Sequence, residues 1–114
     1  MKRLVETFKV ISEETRLRLY NLLIITEKEL NGTILAEAIQ KPQYAVSKHI
    51  NFLVRSGLVN ARRESQKIFY SISPLTKNAR IDILKLFDSL CDDASIFRED
   101  LSRLKNLDEK TERS

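Results

Sequence analysis

The chain has 114 residues, with 20 Lys and Arg, 16 Asp and Glu and a single His, for a net charge of +4. A length of this order supports one buried core and excludes a second, separately folded catalytic domain. With 42% hydrophobic and 32% charged residues but only two Gly and two Pro, the composition excludes a disordered or loop-rich chain and favours a mainly helical one.

The one cysteine, Cys91, can neither close an intramolecular disulfide nor by itself supply a thiolate zinc site, which fits a reducing compartment. No apolar run of signal-peptide length follows Lys2 and Arg3, and the longest aliphatic run is Leu22 to Ile25. The expected setting is therefore the cytoplasm, with no membrane partner.

In chain order, Leu4, Phe8 and Ile11 recur at helical spacing and define a first helix. Ser12, followed by Glu13 and Glu14, has the pattern of a cap with acids in the first turn of a second helix, which runs to about Ile25 with Leu17, Tyr20 and Leu23 on one stripe. Asn31 and Gly32 interrupt the periodicity. A short third helix over "TILAEAIQ" then turns Ile34, Leu35, Ala38 and Ile39 inward and stops at Lys41, because Pro42 disfavours helical geometry in the residue before it. The fourth helix runs from about Gln43 to Ser56, with Gly57 placed for a left-handed cap and Leu58 as its apolar partner.

Two short helices joined by a tight break form a helix-turn-helix. On the second of them Val46, Ile50, Leu53 and Val54 share one stripe, and Tyr44, Lys48, Asn51 and Arg55 lie opposite. The outer residues all donate hydrogen bonds and two are cations, which suits the major groove and its flanking phosphates. An ordinary surface helix has the same periodicity, so this helix does not decide the matter alone. The next stretch, "LVNARRESQKIFYSIS", alternates Val59, Ala61 and Arg63, then Ile68, Tyr70 and Ile72, around a polar turn at Glu64, Ser65 and Gln66. It predicts a β-hairpin with Arg62, Arg63 and Lys67 beside the tip, and hence a winged helix.

Charge follows the same division. From Lys41 to Tyr70 six cations (Lys41, Lys48, Arg55, Arg62, Arg63 and Lys67) face one acid, Glu64, for a net +5, whereas residues 92 to 114 carry −2. A concentrated basic patch is the electrostatic footprint of a polyanion partner. From Thr76 onward the period is helical again, with Ile83, Phe87, Leu90, Ala94, Phe97, Leu101 and Leu104 in one phase, and with Asp92 and Asp93 as the point where a kink is expected. So long an apolar stripe predicts a partner helix, supplied most simply by a second copy of the chain, with Leu4 and Phe8 of the first helix joining Phe87, Leu90, Phe97 and Leu101 at that interface. The expected organisation is one winged-helix and dimerisation domain over residues 1–107 and a polar tail over 108–114.

Three segments, "ISEETRLRLYNLL", "LAEAIQKPQYAVSKHINFLVRSGLV" and "ARRESQKIFYSI", together resemble the ArsR/SmtB family of winged-helix transcriptional repressors over roughly residues 3 to 91. The middle segment is the most specific, pairing a Ser-x-His-Ile recognition helix with a Gly-Leu-Val exit. The resemblance implies a homodimer that occupies a double-stranded DNA operator and represses transcription, usually until an effector weakens binding. In that setting Gln43, Tyr44, Ser47 and Lys48 meet bases and phosphates, Arg62, Arg63 and Lys67 reach the backbone or minor groove from the wing, and His49 supports the recognition helix or touches a phosphate.

The resemblance also marks departures. Metal-sensing relatives carry Cys-x-Cys after Glu-Leu, where this chain has Asn31 and Thr33, and an Asp-x-His pair on the last helix, where Asp82 is followed by Leu84. No metal site or cofactor is expected, and the sequence names no effector. Relatives that sense reactive sulfur use two cysteines, whereas Cys91 stands alone; it reads most simply as a small apolar residue on a helix face. The other function class compatible with these features is a winged-helix module binding an acidic protein. An enzyme is not expected: there is no paired nucleophile and base, no Gly-rich phosphate loop and no carboxylate in view to orient the lone His49.

Overall fold

The computed structural model describes residues 1–91 and 95–113. The elements are α1 (Lys2–Ile11), α2 (Glu14–Thr26), β1 (Leu30–Asn31), α3 (Gly32–Ile39), α4 (Gln43–Arg55), β2 (Val59–Glu64), β3 (Lys67–Ile72), α5 (Pro74–Lys77), α6 (Arg80–Leu90) and α7 (Ser95–Arg113). The strands form one antiparallel sheet in the order β1-β3-β2. Among the described residues, no helix is long and apolar enough to cross a membrane.

The core is organised around α2, in which every residue from Arg18 to Ile24 is buried. The sequence suggests a single stripe there, but α2 is covered on several sides, by α1, α4, α6, α7 and β3. Leu35 and Ile39 of α3, Val46, Ile50 and Leu53 of α4, Val59 and Tyr70 of the sheet and Leu104 of α7 close the same cluster. The stripe expected on α4 is the one buried, with Val54 packed at its edge.

Chain ends within the fold are closed by specific groups. At the exit of α4, Gly57 takes φ 84°. Leu58 N–H then donates to Leu53 O at 3.2 Å and Gly57 N–H to Val54 O at 3.1 Å, which satisfies carbonyls the helix leaves open. α2 and α3 end instead on the non-glycine left-handed residues Glu27 and Gln40, and arginines from distant segments supply the missing donors. Arg80 donates to Ile24 O and Ile25 O, both at 2.7 Å. Arg18 donates to Ile39 O at 2.9 Å and Arg103 to Ala38 O at 2.6 Å. A guanidinium suits this position because it is always charged and meets the negative end of the helix dipole.

Asp100 of α7 locks the two α3-capping arginines together. Its carboxylate, 0% exposed, accepts from Arg18 Nε at 2.9 Å, Arg18 Nη2 at 2.8 Å and Arg103 Nη2 at 2.7 Å. Helix α7 is thereby seated on α2 and α3 of its own chain.

That seating corrects the expectation for the C-terminal half. The helix predicted to run on from Thr76 is divided: α5 ends at Lys77, and Cys91, extended at φ −84° and ψ 113°, closes α6. The expected kink residues Asp92 and Asp93, and Ala94 of the stripe, lie outside the described residues. Leu104 at the end of the stripe is buried within the protomer, and Phe87 and Leu101 are partly buried against the same core. Helix α7 extends to Arg113.

Two smaller differences have local causes. Ser12 does not cap α2, because its hydroxyl donates to Lys9 O at 2.7 Å at the end of α1; the cap is Glu13, whose Oε2 accepts from Arg16 N–H at 2.9 Å. α3 stops at Ile39, since Gln40 already turns left-handed at φ 58°.

Two stability measurements follow. Asp100→Ala leaves the buried Arg18 charge unpaired and is expected to cost about 3–5 kcal/mol in urea unfolding, and the double change Arg18→Met, Asp100→Leu is expected to recover only part of that loss, because Ile39 O then lacks its donor and Arg103 its carboxylate. Glu13→Ala is expected to cost about 1 kcal/mol near neutral pH. Partial burial pushes the Glu13 carboxyl up, but the donating amides of Arg16 and Thr15 and the nearby charges of His49 and Arg16 outweigh it and hold the group below its ordinary value of 4.5. A depressed folded-state pKa contributes stability that is present above the unfolded value and is lost as pH falls through the folded one. The difference between wild type and Glu13→Ala is therefore expected to shrink below pH 4.5, and a difference that stays constant as the solution is acidified from neutrality would count against this account.

Candidate nucleic-acid interface

One face of α4 is built into the core and the other is left open. Val46, Ile50 and Leu53 are buried, while Gln43, Tyr44, Lys48, Asn51 and Arg55 are exposed and Ser47 is half-buried. Tyr44 is 81% exposed, unusual for so large a ring in a protein with a formed core. Gln43 also joins the two helices of the helix-turn-helix, its Nε2 donating to Thr33 Oγ1 of α3 at 3.2 Å. Pro42 stands at the N-cap of α4 and no side chain caps this helix; Ala45 N–H donates to Pro42 O at 3.1 Å, which leaves the amides of Gln43 and Tyr44 for an external acceptor.

The wing stands beside that end of α4. Its register, Val59 opposite Ile72, Ala61 opposite Tyr70 and Arg63 opposite Ile68, puts the residues expected to alternate on one face of the sheet. The turn is shorter than expected: Glu64 pairs with Lys67, leaving Ser65 at φ 58° and Gln66 as the loop. The expected two-stranded hairpin gains a third strand, because Leu30 and Asn31 pair with Tyr70 and Phe69. Two residues are too few to give a periodic signal. Between α3, α4 and the wing lies a polar cleft of about 140 Å³, with Thr33, Gln43, Ser47, Gln66 and Lys67 in its lining. Arg63 and Lys67 are exposed near the tip.

Two residues assigned to DNA from the sequence are engaged within the protein. Arg62 Nε and Nη2 donate to the two carboxylate oxygens of Glu29, both at 2.7 Å, and Nη1 donates to Glu64 Oε2 at 3.1 Å. Its guanidinium also lies 5.1 Å from the centre of the Phe69 ring. The Glu29 carboxyl is held below its usual range by the Arg62 hydrogen bonds. His49 turns away from the open face of α4: its Nδ1 lies 3.5 Å from Glu13 Oε2, an electrostatic contact too long and too poorly aligned to count as a hydrogen bond. The sequence offered no carboxylate for His49, and the fold brings one from a different helix. At the far end of α4, Phe52 carries Arg16 at 4.7 Å and Arg55 at 6.0 Å from its ring centre, an arrangement with no signal in the local periodicity.

The residues standing where metal-sensing relatives would carry cysteines have structural work. Asn31 Oδ1 accepts from Ile34 N–H at 2.9 Å and caps α3, and Thr33 receives Gln43. Among the described residues, no group of three or more His, Cys, Asp and Glu side chains is placed to hold a metal ion.

Of the residues expected at a subunit interface, Leu4, Phe8 and Leu90 are exposed. Phe8, Phe87, Leu90 and Phe97, with Leu86 and the half-buried Cys91, line an apolar groove of about 450 Å³ between α1, α6 and α7. Phe87 and Phe97 pack with ring centres 6.2 Å apart. Leu101 lines an adjoining cavity beside Asn21 and Ile25 of α2, which shares Phe87 and Phe97 with the groove.

No family model matches the chain. In sequence it is 35% identical over 80 residues to the transcriptional activator HlyU of Vibrio cholerae, an alignment covering 70% of this chain and 72% of that one. It is 30% identical over 103 residues to the arsenic resistance transcriptional regulator ArsR2 of Pseudomonas putida, covering 90% of this chain and 87% of that one. In structure it is similar to HlyU from Vibrio cholerae, with a TM-score of 0.67 at 32% identity over 80% of this chain and 95% of that one. It is also similar to the transcriptional repressor BigR from Xylella fastidiosa, with a TM-score of 0.66 at 26% identity over 81% and 90%. With a winged helix-turn-helix in place and relatives of this identity over most of both chains, the protein belongs to the ArsR/SmtB family of winged-helix transcriptional regulators.

Proposed function

We propose that the protein is a cytoplasmic, homodimeric transcriptional repressor that binds a double-stranded DNA operator through α4 and the wing. The observation that carries this reading is the open face of α4, where donors and cations are exposed beside a basic hairpin while the opposite face is anchored in the core. Gln43, Tyr44 and Ser47, at the start of α4, meet base edges and phosphates. Lys48 on α4 and Arg63 and Lys67 on the wing neutralise backbone phosphates. His49 and Arg62 support these elements from behind.

The second copy is recruited through the apolar groove, by Leu4 and Phe8 of α1, Phe87 and Leu90 of α6 and Phe97 of α7. A two-fold dimer presents one patch to itself and offers two recognition helices to half-sites about one DNA turn, ~34 Å, apart. Repression follows from occupancy of a promoter-proximal site.

The reading is tested by selecting binding sequences from a random DNA pool and titrating the best of them in fluorescence anisotropy across salt concentrations. A palindromic site is expected, with affinity falling steeply as salt rises. Lys48→Ala with Arg63→Ala is expected to flatten the slope of log K against log salt by about 0.9 for each phosphate that is no longer neutralised, and Tyr44→Ala to relax base preference at the position it contacts. An unchanged operator affinity in the Lys48, Arg63 double variant would sink the interface map. Phe8→Asp is expected to give a monomer in sedimentation and to weaken operator binding; a variant that remains dimeric counts against the groove as the interface. A reporter driven from the selected operator is expected to be silenced by the protein, and stimulation instead of silencing would overturn repression.

A further inference from the structure

Arg62 spans the whole sheet. It starts from β2, beside Phe69 of the central strand β3, and Phe69 in turn pairs with Asn31 of β1. Its guanidinium crosses the Phe69 ring at 5.1 Å and ends on Glu29, the residue immediately before β1, with both carboxylate oxygens at 2.7 Å. Glu64, near the turn, holds the remaining side at 3.1 Å. Asn31 is at once the end of β1 and the N-cap of α3. The residue that receives Arg62 therefore lies two positions before the N-cap of the helix on which Gln43 of α4 rests.

We propose that Arg62 and Glu29 form a charged strut that sets the angle of the wing against α3, and that Arg62 is a positioning residue and does not itself bind DNA. The inference rests on the DNA-binding reading and refines it. A two-stranded ribbon projecting from a domain is a flexible lever, and β1 adds only two residues of pairing to steady it. A bidentate guanidinium–carboxylate pair fixes both distance and plane, and the Phe69 ring beneath it restricts the remaining freedom. The two side chains are partly exposed, so the pair adds little to global stability; its effect falls on where Arg63 and Lys67 stand relative to α4.

The alternative is that Arg62 leaves Glu29 to meet a phosphate when DNA arrives, and the two roles predict opposite signs. If Arg62 binds DNA directly, Glu29→Gln frees a cation, removes an anion beside the duplex and tightens binding. If the pair is a strut, Glu29→Gln is expected to weaken operator binding by about two- to fivefold, the scale of one exposed ion pair, while binding to random DNA hardly changes.

Arg62→Gln is expected to weaken operator binding to a similar extent with the salt slope unchanged, whereas removing a cation that neutralises a phosphate reduces that slope by about 0.9. The double variant is expected to be no worse than either single one. Tighter or equal binding by Glu29→Gln, or a flattened slope in Arg62→Gln, overturns the strut while leaving the DNA-binding reading intact. Failure of the wild-type protein to bind any selected sequence overturns both. Thermal melts of each variant near that of wild type are expected, since neither residue belongs to the core.

Discussion

The buried Asp100 carboxylate, held between Arg18 and Arg103, is the interaction on which the arrangement of helices depends. It lies where α2, the C-terminal end of α3 and α7 meet. Removing a carboxylate and a guanidinium from water costs several kcal/mol per ion, so such a cluster is tolerated only when geometry and additional hydrogen bonds offset it. Here they do: the arginines that neutralise Asp100 also terminate α3, whose last carbonyls would otherwise be buried without donors. One carboxylate thus seats α7, orients Arg18 on α2 and closes the first helix of the helix-turn-helix.

From that anchor the open face of α4 follows. With α3 fixed at its C-terminal end and α4 packed on α2, α3 and β2, Val46, Ile50 and Leu53 are committed to the core. The polar residues of the same helix are then turned outward as a rigid set. The wing is held by weaker means, a short third strand and the Arg62–Glu29 pair. Rigidity is graded along the proposed binding surface: α4 is part of the core, and the wing is attached at its edge.

Much of this was legible in the sequence because it depends on local rules. Helical spacing of aliphatic residues named the buried faces of α3 and α4. Gly57 marked the exit of α4 because a left-handed backbone disfavours any residue with a Cβ. Alternation from Val59 to Ile72 gave the wing, and the register keeps that alternation on one face. The recognition-helix residues Tyr44 and Lys48, exposed as periodicity required, belong to the same class of inference. Charges were harder to place. Arg62 and Arg63 are adjacent and chemically identical, yet one is bound to Glu29, 33 residues away, and the other is open. His49 was similarly ambiguous on the flank of its helix, and its neighbour Glu13 comes from another element.

By itself the sequence determined the winged-helix class, the succession of helix-turn-helix and wing, the buried faces of α3 and α4 and the concentration of positive charge between Lys41 and Tyr70, since hydrophobic periodicity, backbone preference and charge density are properties of short stretches of chain. Only the tertiary structure decided that the C-terminal stripe breaks at Cys91, that α7 covers α2 and α3 of its own protomer, and which arginines are free. An apolar face records that it will be covered but not by what, because burial is non-directional and roughly proportional to area. A cation records its charge but not its partner, because pairing is settled by the distances that folding creates.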